Sequence, residues 1–202
     1  MPNTHTPIRS RGGADISAAP ETTGGRLLPR SAAVVAAVFL LGNAALWMVA
    51  TENMGDHATV AGRASEALVG ASFVFGAVAL LFIARRAGSA LGLWRVAWWL
   101  AVVAMIAAGV TMIAVFVSAT EPPFELFLAE AGLAAASLIA VGISGWRAQA
   151  FPLWVGIGVA LLLPMMFLLP LNSLWMAAVW VAVAITATTG DFGGRGFAKL
   201  QP

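Results

Sequence analysis

Between Arg30 and Glu52 the chain runs for 21 residues without a charged side chain. The pattern recurs over 18 residues from Glu66 to Arg85, 25 from Arg95 to Glu121 and 43 from Arg147 to Asp191. A charge at the centre of a bilayer costs about 2.5–3.5 kcal/mol on insertion scales, and a helix needs about 20 apolar residues to cross the hydrocarbon core. These intervals therefore measure membrane spans. The longest holds two, divided at Pro170-Leu171-Asn172-Ser173, where proline stops one helix and Asn172 or Ser173 can cap the next. A sixth span falls around the 16 residues between Glu130 and Arg147. Helices are predicted near 31–51, 64–84, 95–118, 123–145, 150–169 and 173–189. The fold class is an all-α integral membrane protein, a six-span helix bundle. Composition agrees, with 60% hydrophobic and 10% charged residues against roughly 25% charged in a soluble domain.

Orientation follows from the basic residues of short loops. With the N-terminus cytoplasmic, Arg9, Arg11, Arg26, Arg30, Arg85, Arg86, Arg95, Arg147, Arg195 and Lys199 fall inside, and Arg63 alone falls outside. Six spans return the C-terminus to the same side. Tryptophan placement fits: Trp94, Trp98, Trp99, Trp146 and Trp154 sit near the inner boundary, Trp47 and Trp175 near the outer one, and Trp180 deeper. Residues 1–30, rich in Pro, Gly, Ser, Thr and Arg, read as a disordered cytoplasmic tail, and 190–202 as a short one. Ten arginines against one lysine, with abundant alanine, point to a GC-rich bacterial genome and hence a bacterial plasma membrane. The dispersed basic residues offer no face for nucleic acid. The expected partners are the lipid bilayer and another membrane protein.

Glu130 is the most informative polar residue. The interval to Arg147 covers about 24 Å at 1.5 Å per residue, less than the ~30 Å core, so Glu130 lies inside the hydrocarbon region unless the bilayer thins. It shares a helical stripe with Ala134, Ser137, Val141 and Ser144, small and polar enough to face the bundle. Such a carboxylate suits a proton, a cation or a cationic substrate, or pairs structurally with Arg63. Glu66 follows Arg63 at i+3, so an intrahelical pair accounts for both, the alternative being an Arg63 that bridges Glu66 and Glu130. Asn43 lies mid-span in helix one, where an amide joins helices or lines a site. Together, Glu130, Arg63, Glu66 and Asn43 are the candidate transport or polar-network residues.

Catalytic chemistry has little to work with. There is no cysteine, and the imidazoles are His5 and His57, so thiolate metal sites, iron–sulfur clusters and bis-histidine haem are excluded. Gly142-Ile143-Ser144-Gly145 has the Gly-x-Ser-Gly form of an intramembrane serine protease nucleophile, yet no histidine follows His57 to act as its base. The outer carboxylates Glu52, Asp56, Glu66, Glu121, Glu125 and Glu130 show no dedicated metal-ligand spacing. Pro164 is expected to kink helix five. No enzyme activity, cofactor or metal is expected. The inventory favours a non-enzymatic accessory or scaffold subunit; the alternative is a small permease or substrate-binding membrane subunit that uses an intramembrane carboxylate.

Overall fold

The structure, a computed structural model, describes residues 24–50 and 57–186. The described residues form helices and connecting turns, with no strand among them. In chain order the α-helices are α1 (Gly24–Val49), α2 (Val60–Ala87), α3 (Arg95–Ser118), α4 (Phe124–Arg147), α5 (Leu153–Ala160), α6 (Leu162–Leu168) and α7 (Asn172–Thr186). Four segments are long and apolar enough to cross a membrane: Leu27–Val49, Val60–Ala87, Ala90–Ser118 and Phe124–Arg147. The exposed faces confirm what solvent they suit, since Val38, Val103, Val110, Ile157, Val181 and Ile185 all point outward. A water-soluble bundle would place polar side chains there.

Local chemistry sets the ends. Thr59 caps α2 by accepting the Gly62 N–H at 3.0 Å. Gly88 closes that helix at φ 49°, a backbone that side chains with a Cβ disfavour, and a tight 3-10 turn over Gly88–Trp94 leads into α3. Pro122-Pro123 precede α4, and Pro152 precedes α5. Helix α2 runs four residues earlier and three later than the expected 64–84, and two larger departures have a local cause. Helix α1 begins at Gly24, earlier than 31, because the apolar Leu27-Leu28 pair extends the helical face and Pro29 sacrifices only one backbone bond near the start. The expected single helix at 150–169 is interrupted at Leu161 (φ −91°, ψ 0°), so it becomes α5 and α6. Pro164 is the cause, having no N–H for the Ala160 carbonyl and crowding it with its ring. The tails at 1–23 and 187–202, with Glu52 and Asp56, lie outside the described residues.

Consecutive helices pack against each other, and α7 returns to pack on α1, closing a ring. Glycines set the closest approaches. A methyl group added at Gly70 in α2 would stand 2.6 Å from the Gly109 carbonyl oxygen in α3, and one at Gly109 equally close to that of Gly70. Gly142 and Gly156 make the same kind of contact between α4 and α5. Gly76 gives up its side-chain space to the fully buried Trp180 of α7, which reaches across to α2. The Gly-x-Ser-Gly form thus has a packing meaning. Gly142 and Gly145 admit Gly156 and Phe151, and Ser144 accepts the Trp98 Nε1–H at 2.9 Å. Trp98 consequently belongs to the core, stacked on Phe151 at 5.7 Å, while lying near the arginine-bearing ends of α3 and α4.

The antiparallel order gathers Arg30, Arg85, Arg86, Arg95 and Arg147 at one end of the ring, and Glu66, Glu121, Glu125 and Glu130 at the other. Replacing Gly109 by alanine forces α2 and α3 apart, at a cost of about 1–3 kcal/mol. Thermal unfolding in lipid particles should register the loss, whereas Gly132→Ala, which faces open space, should leave the midpoint unchanged or raised.

Candidate functional site

Two polar systems occupy the acidic half of the ring. The first joins helices. Ser65 Oγ donates to Asn43 Oδ1 at 2.7 Å, and Asn43 Nδ2 donates to Ser173 Oγ at 2.8 Å. Ser173 Oγ donates on to Asn172 Oδ1 at 3.2 Å, and Asn172 Nδ2 to the Met166 carbonyl at 2.7 Å. One directed chain of donors therefore runs from α2 through α1 to α7 and the end of α6. With both halves of its amide used and 2% exposure, Asn43 serves cohesion between helices.

The second system lines a cavity of about 330 Å³ enclosed by α2, α3, α4 and α6. Its polar lining is His57, Glu66, Thr111, Glu121 and Glu130, and its aromatic walls are Phe73, Phe124, Phe127 and Phe167. Glu130 is half-buried one turn and a half into α4, on the stripe whose further members Ala134, Ser137, Val141 and Ser144 are all buried. Its Oε1 accepts the Thr111 hydroxyl at 3.0 Å. Phe127 and Phe167 meet edge to face, 6.4 Å between centroids, and bring α6 against α4 beside it.

His57 sits in the turn before α2 and closes one rim. Its Nδ1 is 2.7 Å from Glu121 Oε1 and its Nε2 3.5 Å from Glu66 Oε1. The hydrogen bond to Glu121 raises the imidazole above its ordinary pKa, partial burial opposes this, and Glu66 adds to the rise. As an imidazolium it ties the turn before α2 to the segment between α3 and α4.

The structure thus brings Glu66 and Glu130 to one cavity and places Asn43 in a separate network. Arg63 belongs to neither; its Nε reaches back to the Thr59 carbonyl at 3.4 Å. Among the described residues it pairs with neither Glu66 nor Glu130, because Glu66 turns to His57 instead. Sequence reasoning missed Thr111 and the aromatic walls. Thr111 carried a signal, being a hydroxyl in an otherwise apolar stretch, whereas the phenylalanines looked like any other apolar residue. Among the described residues no group of three His, Cys, Asp or Glu is placed to hold a metal ion. Compared with known proteins, the chain matches no family model, no curated protein and no solved structure.

A raised folded-state pKa gives His57 a stabilising contribution that is complete below the ordinary histidine range and lost as pH rises through the raised value. Thermal unfolding over roughly pH 5 to 9 should therefore show wild type above His57→Gln at the acidic end. The gap should close as the solution becomes alkaline; a gap that widens with pH contradicts the assignment.

Proposed function

We propose that the chain is a small permease or substrate-binding membrane subunit, non-enzymatic, which takes a small molecule into the cavity at the acidic end of its ring. The observation that carries this reading is the convergence of Glu66 and Glu130, 64 positions apart in sequence, on one cavity with aromatic walls. The sequence inventory alone favours an accessory subunit, and the cavity is what shifts the reading towards binding. A pocket of a few hundred Å³ with mostly apolar walls and a few convergent polar groups is the usual form of a small-molecule site.

The accompanying topology is six spans in a bacterial plasma membrane with both chain ends cytoplasmic. In support, the arginine-rich end of the ring suits the cytoplasmic side, so the cavity opens outward. The broken helix α5–α6 and helix α7 supply the fifth and sixth spans. From Leu153 to Leu168 the broken helix covers 16 residues, about 24 Å, short enough to require a locally thinner bilayer.

The absence of cysteine makes topology directly testable. Single substitutions Thr120→Cys and Leu171→Cys should react with a membrane-impermeant maleimide in intact cells, and Gln149→Cys only after permeabilisation. Protection of Leu171→Cys overturns six spans. For function, wild-type protein extracted in native lipid particles should retain a small molecule detectable by mass spectrometry, and Glu130→Gln, equally folded, should lose it. A stoichiometric protein partner with no retained small molecule, in both forms, returns the assignment to an accessory subunit.

A further inference from the structure

We propose that the ligand of this cavity is a monovalent organic cation, an ammonium centre carried on a small apolar or aromatic body. The inference rests on the binding reading above and names the chemistry of its ligand. Three observations lead to it.

The charges facing the cavity are unbalanced. Among the described residues Glu66, Glu121 and Glu130 line it, His57 is its single basic group, and no arginine or lysine contributes. Three carboxyl groups thus face one imidazole, and a lining of this composition favours a cation over an anion.

The carboxylates are not equivalent. His57 engages Glu121 and Glu66 at the rim. Glu130 lies along α4 from that rim, and among the described residues its partner is the neutral Thr111 hydroxyl. That hydrogen bond orients the carboxylate without neutralising it. A half-buried charge held in this way is completed by a ligand that brings a positive charge.

The walls select the rest of the ligand. Phe73, Phe127 and Phe167, with Met112 and Met166, line the same cavity as the carboxylate. Aromatic faces attract an ammonium, and thioethers adapt to apolar shapes. A bare metal ion would exchange its water for too few oxygen ligands, and a sugar would leave its hydroxyls facing phenyl rings without partners. At about 330 Å³ the cavity stands at the small end of ligand sites, so the apolar body is compact.

The test uses the full chain in particles of zwitterionic lipid, titrated calorimetrically with benzyltrimethylammonium, benzyl alcohol and benzoate. Benzyltrimethylammonium should bind saturably, about tenfold or more tighter than benzyl alcohol, and benzoate should not bind. Glu130→Gln keeps the acceptor for Thr111 and should weaken the cation about tenfold or more while leaving benzyl alcohol unchanged. Glu66→Gln should weaken the cation in the same sense, and Glu125→Gln, exposed and off the cavity, should change nothing. Equal binding of cation and alcohol, preference for benzoate, or an unchanged cation affinity in folded Glu130→Gln overturns the cation assignment and leaves the binding reading standing. Saturable binding by none of the three probes overturns both.

Discussion

A perimeter rich in valine, leucine and isoleucine leaves the polar side chains of the helices nowhere to go but inward. Hydrocarbon offers them no hydrogen-bond partner, so the hydroxyls and the amide are satisfied by another helix or by their own backbone, while among the described residues the buried indole nitrogens of Trp175 and Trp180 are left without a partner. That constraint organises the described structure. Ser72, Ser137 and Thr186 return to carbonyls of their own helices, while Asn43, Ser65 and Ser173 meet one another and Trp98 finds Ser144. The glycine contacts serve the same end from the other direction. By letting α2 approach α3, and α4 approach α5, to backbone contact, they replace a hydrophobic driving force that lipid does not supply.

The cavity is where this rule of internal satisfaction is relaxed. Away from the acidic end the interior is filled by Trp98, Trp180, Met105 and Leu80, all buried. Toward that end the aromatic walls of α4 and α6 stand off from α2 and α3, and Glu130 occupies the gap with a single hydroxyl donor. The arrangement is asymmetric in stiffness as well. Three walls are long helices held by glycine contacts or by the Trp98–Ser144 bond, whereas the fourth, α6, is a seven-residue helix beginning just beyond the break at Leu161.

Much of the architecture was legible because charges are so costly in lipid that their spacing alone marks the four long helices. Pro164 announced its break, and the stripe through Ala134, Ser137, Val141 and Ser144 announced the inward face of α4, since α4 carries enough polarity to have a face. In α3 the same reasoning fails. Its residues are apolar all round, so no periodicity separates Trp98, which is buried, from Trp99, which faces outward. Glycine spacing was no better a guide: Gly109 touches a neighbouring backbone and Gly132 touches nothing, yet both sit among alanines. Within the site, Glu130 stood out by its depth. The pairing of His57 with Glu121 did not, because it joins two loops whose approach depends on the packing of three helices.

The link from Asn43 to Ser173 also has a meaning in time. The two residues are 130 positions apart, and a membrane protein is threaded into the bilayer from its N-terminus as it is made. Ser65 arrives with the next helix and satisfies the amide oxygen early. The amide nitrogen must wait until α7 emerges, and Gly76 likewise waits for Trp180. Until then the growing bundle is an open arc whose inner side still lacks the partner for that donor. Helix α7 therefore completes the ring and ends that exposure in the same event.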